Sequence, residues 1–93
     1  MKQECKYIVS DKIDRLGSEI AMMFPFHVQH ADMARKLGLG REDIISAGFV
    51  RLGQTEDGEQ KFEVYGDSFS LKKDSREKED AEIINRHYAY LLP

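Results

Sequence analysis

The run IISAGFVRLGQTEDGEQKFEVYGDSFSL, Ile44 to Leu71, decides the fold. Two stretches rich in β-branched and aromatic residues flank a polar tip, TEDGE (Thr55 to Glu59), in which Gly58 is free to adopt positive φ. That pattern predicts a β-hairpin. In its first strand Ile45, Ala47 and Phe49 alternate with Ile44, Ser46, Gly48, Val50 and Leu52, and both parities are partly apolar, as expected of a central strand. In the second, Phe62 and Val64 share one face, while Tyr65, Phe69 and Leu71 take the other parity. A β-bulge at Gly66 reconciles the two runs.

Upstream, residues 28 to 38 (VQHADMARKLG) are good helix formers closed by Gly38. His30, Met33, Ala34 and Leu37 fall on one face, which packs inward. Residues 1 to 26 admit two readings. Lys6 to Ser10 and Glu19 to Phe24 have the character of short strands joined by DKIDRLGS, Asp11 to Ser18, with Gly17 closing the turn. Ile13, Leu16, Ile20, Ala21 and Phe24 also fall at helical spacing. Pro25 ends either element, since it lacks an N–H and pushes Phe24 toward extended geometry. Downstream, KKDSREKEDAE (residues 72 to 82) predicts a solvated helix start, with Asp74 or Ser75 as N-cap and Asp74 and Glu77 at capping-box spacing. Ile84, Tyr88 and Leu91, flanked by Ile83 and His87, form the apolar stripe that follows.

Ninety-three residues predict one domain, 1–93, with a small core and no room for a long enzymatic cleft. With 41 % hydrophobic and 33 % charged residues the chain belongs with globular domains rather than disordered or membrane-spanning ones. The single cysteine, Cys5, has no internal disulfide partner. The start, MKQECKYIVSDK, carries charges where a secretory leader needs an apolar run. Both features lead to the expectation of a cytoplasmic protein. Fourteen basic against seventeen acidic side chains give a net charge of -3, a field that repels nucleic acid unless a local basic patch overrides it.

Candidate chemistry is sparse. His27, His30 and Asp32 invite a metal-site reading, but on a helix His30 and Asp32 point roughly 200° apart. A zinc site also wants three or four ligands. No metal and no cofactor is expected. Ser46, Ser68 and Ser70 lack the sharp turn and adjacent base of a serine nucleophile, so cross-strand pairing or a bond to His30 is the expectation. Gly38 and Gly40 begin a G-x-G that Asp43 leaves incomplete. Lys72, Lys73 and Arg76 are the densest cations, interleaved with Asp74, Glu77 and Glu79 as on an ordinary solvated face. An enzyme would need His30, Asp32, Ser46 and Arg76 to converge in space.

The strongest competing fold places a helix-turn-helix at residues 30 to 48 and a wing at 49 to 65, which would make the chain a winged-helix DNA-binding regulator. Against it, Glu42 and Asp43 would open the recognition helix and face phosphate. The run SAGFV also suits a strand better than a helix.

Several segments together resemble small uncharacterised proteins of bacterial and phage or prophage origin: FP at Phe24 and Pro25, HADMA at His30 to Ala34, SAGF at Ser46 to Phe49, YGDSFSL at Tyr65 to Leu71, SR at Ser75 and Arg76, and DAEII at Asp80 to Ile84. The resemblance spans roughly residues 19 to 87. It implies a bacterial or mobile-element setting and strands at Pro25 and SAGF, and it carries no activity.

The expected fold is α+β in the order β-β-α-β-β-α, a four-stranded, mostly antiparallel sheet with two helices on one face. The other sheet face would then stay open. The expected function is that of a small non-enzymatic accessory or binding protein acting through protein–protein contacts, with a protein partner or a second copy of itself. The candidate binding residues are His30, Asp32, Ser46, Phe49, Tyr65, Ser68 and Arg76, with Phe49 and Tyr65 as anchors if they lie on the open face.

Overall fold

A computed structural model describes residues 4–92. Four strands, β1 (Glu4–Ser10), β2 (Ile20–Pro25), β3 (Ile44–Gln54) and β4 (Gln60–Tyr65), form one sheet in the order β2-β1-β3-β4. Every neighbouring pair is antiparallel. Helix α1 (His30–Lys36) links β2 to β3, and α2 (Glu77–His87) follows the sheet. A two-residue ladder, β5 (Asp67–Ser68) with β6 (Lys73–Asp74), lies between β4 and α2. The fold is the expected α+β mixture in nearly the expected order.

The two ambiguous segments resolve as extended chain. Residues 11 to 19 form a turn and β2 is a strand, so the helical spacing of Ile13 to Phe24 is coincidental. Ile44 to Gly48 is the first half of β3, and only one 3₁₀ turn, Arg41–Asp43, precedes it. Asp43 closes that turn by accepting the Gly40 N–H at 2.8 Å. A winged-helix fold needs a recognition helix here, and the β-branched and aromatic run of β3 forms a strand instead.

Strand β1 is buried on both sides: Tyr7, Ile8 and Val9 are all fully covered. Alternation therefore makes two cores. Tyr7, Val9, Ala21, Val50 and Val64 meet Ile83 and Ile84 of α2. On the opposite face Ile8, Phe24, Ile44, Ala47 and Leu71 meet Ala34 of α1. The helices thus cover opposite faces rather than sharing one, because successive apolar residues in β1 and β3 leave neither face able to stay bare.

The bulge lies at Ile45, not at Gly66. Val9 pairs with Ser46 but Ser10 with Ile44, so Ile45 is the extra residue. The shift sends Ile44 to the α1 core and Ile45 to the α2 core. At Gly66 (φ +78) β4 ends and the chain leaves the sheet. Phe69 and Leu71 therefore belong to the turn between β5 and β6: Leu71 folds into the α1 core and Phe69 stands 94 % exposed.

Helix α2 starts later than the capping pattern suggests. Arg76 is its N-cap, and no capping side chain precedes it. The Asp80 carboxylate, one turn in, accepts the Arg76 N–H at 2.9 Å. Further along, Asn85 accepts from the Phe62 N–H and donates to the Phe62 carbonyl, both at 2.9 Å. Those are the main-chain groups an edge strand would offer to another strand, so α2 closes the β4 edge. Pro25 blunts β2, the other edge.

Candidate functional site

The expected binding residues separate into two groups on opposite faces. Beneath α2, Ser46 and Arg76 converge on a residue the sequence did not single out, Asp80, which is fully buried. Its carboxylate accepts from the Tyr7 hydroxyl at 2.5 Å, Ser46 Oγ at 2.9 Å, and Arg76 Nε and Nη2 at 3.1 and 2.9 Å, besides the Arg76 main chain. Arg76 Nη2 also reaches Glu19 at 2.7 Å. Burial and the bond to Asp80 push the Tyr7 phenol far above its ordinary range. Five donors leave this carboxylate no lone pair for a substrate proton, and Ser46 spends its own proton on it. The cluster ties β1, β3 and the start of α2 together. It is structural.

On the α1 face the sheet carries a chain of rings. Cross-strand partners Phe49 and Tyr65 stack with centroids 5.5 Å apart and planes inclined by 26°. Phe26, from the turn after β2, packs on Phe49 at 5.4 Å. Cations close both ends: the Arg51 guanidinium lies 4.7 Å from the Tyr65 centroid, and Lys6 Nζ lies 5.5 Å from that of Phe26. Gly66 makes room for the row, since a Cβ there would come within 2.8 Å of the Phe49 ring. Phe26 is half-exposed.

His30 supports this row from below. It is 3 % exposed, meets Phe24 and Phe49 edge-on at 5.5 and 5.6 Å, and donates from Nε2 to the Gly48 carbonyl at 2.8 Å. Burial pushes its pKa below the ordinary histidine value. Asp32 points elsewhere, to an exposed ion pair with Arg35 at 3.4 Å. Ser68 is buried, and its Oγ accepts the Leu71 N–H at 3.1 Å. His30, Asp32, Ser46 and Arg76 therefore do not converge: the sheet separates His30 from Ser46 and Arg76. Among the described residues no group of three His, Cys, Asp or Glu side chains is placed to hold a metal ion.

Several concavities flank these clusters, among them one of ≈ 470 Å³ lined by Glu19 and Arg76. A groove of ≈ 500 Å³ on the α2 face is walled by the side chains of Cys5, Met23, Val50, Leu52, Phe62 and Leu91. Arg51 borders it but turns its guanidinium to Glu63 and Tyr65. Burial raises the Cys5 pKa, which favours the protonated thiol over the nucleophilic thiolate. A smaller cavity of ≈ 270 Å³ lies beside the aromatic row, between Lys6, Gln29, His30, Phe49, Asp67 and Phe69.

Phe26, Phe69, Lys6 and Asp80 were not among the candidate binding residues, and Phe69, expected on the strand face of Tyr65, lies in a turn instead. Asp80, Ile84 and Tyr88 lie four residues apart in succession, a spacing that continues the inward stripe of α2 and would have marked Asp80 as buried. No such signal exists for Phe26 or Phe69, because turns have no period. No helix among the described residues is long and apolar enough to cross a membrane. Compared with protein-family models, with curated proteins and with solved structures, the chain matches none.

Proposed function

We propose that the chain is a small non-enzymatic binding protein that acts through protein–protein contacts made by the aromatic face of its sheet, and that a second copy of the chain is one such partner. The row Phe26–Phe49–Tyr65, with the exposed Phe69 beside it, carries this reading. Aromatic side chains are the usual anchors of protein interfaces. Their packing also argues against nucleic acid. Phe49 packs on two rings, Tyr65 lies under Arg51 and Phe26 lies under Lys6, so few ring faces are left for bases.

Charge on the face supports a second copy. Arg51 pairs with Glu63, and Lys6 lines the cavity with Asp67, so the face carries both signs of charge, as a self-complementary two-fold contact requires. With Asn85 and Pro25 closing the edges, contact through the face is favoured over strand addition. A stable dimer takes roughly 800 Å² from each partner, a small part of the 6170 Å² surface. The cytoplasmic setting suggested by the lone thiol, and the bacterial or phage origin implied by the sequence resemblance, belong to the same proposal.

A photoreactive benzoylphenylalanine at position 69 tests it, with one at position 16 as control; the native residues there are 94 % and 89 % exposed. Irradiation of the purified protein is expected to give a band of doubled mass from position 69 only. Equal yields from both positions would contradict the proposal.

A further inference from the structure

The ≈ 270 Å³ cavity beside the aromatic row has an unusual floor. A main-chain carbonyl only accepts, so the bond from His30 Nε2 to the Gly48 oxygen places the ring proton on Nε2 and leaves a lone pair on Nδ1. Nδ1 has no hydrogen-bond partner among the described residues, although His30 is only 3 % exposed and lines this cavity. The one sealed, unpartnered side-chain atom among those residues is Gln60 Oε1, so Nδ1 is not closed off. Burial also lowers the pKa of His30, which keeps the imidazole neutral and the lone pair available. Phe49 and the exposed Phe69 form apolar walls. Ser70 Oγ, accepting the Ala31 N–H at 3.1 Å, holds the Phe69 turn against α1.

A cavity of this volume falls just below the roughly 300–1,000 Å³ of drug-sized sites and suits one ring. Its lining is two aromatic walls, the polar side chains of Lys6, Gln29, Asp67 and Ser70, and the unpartnered acceptor of His30. The aromatic walls suit a flat ring, and the His30 acceptor suits a donor carried on that ring. We propose that this cavity is a binding site for a planar ring carrying one hydrogen-bond donor, a phenol or an indole, whose O–H or N–H donates to His30 Nδ1. The ring is either a free small molecule or the side chain of a tyrosine or tryptophan in a peptide. The site goes beyond the contact reading but shares Phe69 with it, so the titrations are made at a concentration where the mass is 10.7 kDa, and the two readings then fail separately.

Amide ¹H–¹⁵N spectra of the intact protein test it with two matched pairs: p-cresol against toluene, and N-acetyl-tyrosinamide against N-acetyl-phenylalaninamide. The phenols are expected to shift the amides of Gln29, His30, Phe69 and Ser70 and to bind about fivefold more tightly than their donorless partners, the worth of one ordinary hydrogen bond. His30→Phe keeps an aromatic ring but has no acceptor, and where the amide spectrum stays dispersed it should abolish the phenol preference. Phe69→Ala, at an exposed position, should weaken both members of each pair and preserve the preference. Tighter binding of p-cresol than of the capped tyrosine identifies a free molecule as the ligand; the reverse identifies a peptide side chain. Absence of shifts at these amides, equal binding within the pairs, or a preference that survives His30→Phe would overturn the proposal.

Discussion

His30 joins three parts of the molecule: it donates to Gly48 in β3, lies edge-on to Phe24 at the end of β2, and supports Phe49 at the centre of the aromatic row. Its depressed pKa, caused chiefly by burial, has a consequence for stability. The unfolded chain protonates this histidine near 6.5, while the folded chain holds it neutral to lower pH. Below that pH the unfolded state binds more protons, so the stabilisation is complete above about 6.5 and declines as pH falls toward the folded value. Urea midpoints between about pH 7.5 and pH 5.5 should therefore drop more steeply for the wild type than for His30→Gln. Equal slopes would mean that His30 titrates alike in both states. The sequence marked His30 for burial through its place on the apolar face of α1. Asp80 is one acid among several in a charged run; its i, i+4 spacing to Ile84 and Tyr88 is the sequence signal that it turns inward, and its partners Tyr7 and Ser46 lie far away in the chain.

Strand β4 stops where Gly66 takes φ +78 and lets the Phe49 ring approach the backbone. Gly58, at the hairpin tip, has a similar φ of +83, but a Cβ there would meet nothing within 4 Å. The two glycines therefore separate strain from packing. Alanine at either should cost about 1–2 kcal/mol for the left-handed backbone. Gly66→Ala should cost about 1–3 kcal/mol more, because the methyl must displace a packed ring. Chemical denaturation of the two variants checks this, and equal losses would mean that the row yields without cost. Element by element, the β1–β2 hairpin shared its spacing with a helix, whereas the β3–β4 hairpin and α1 were legible from alternation, turn residues and helix formers. The bulge was not: Ile44 and Ile45 are chemically equivalent, and only their pairing with Ser10 and Val9 decides which face each one takes. Nor was the helix start, since Asp74 and Glu77 offer a capping box that the buried Asp80 replaces.

Across the whole molecule, the apolar residues at both parities of β1 and β3 require cover on both faces, and α1 and α2 supply it on opposite sides. Each helix is short relative to the sheet: α1 has 7 residues and α2 has 11. On the α2 side the uncovered part is the apolar groove at Cys5 and Phe62. On the α1 side it is the aromatic row between Lys6 and Arg51. Alternation placed Phe49 and Tyr65 in the sequence reading, but their stacking depends on register, which sequence alone leaves open. The central claim is that this row makes protein contacts, beginning with a second copy. Light scattering over a concentration series tests it most directly, using the wild type beside Tyr65→Ala and Phe69→Ala. The wild-type mass should climb from 10.7 kDa toward twice that value, while both variants stay nearer 10.7 kDa at the same concentrations. A wild type that remains at 10.7 kDa throughout, or variants that associate as it does, would contradict the claim.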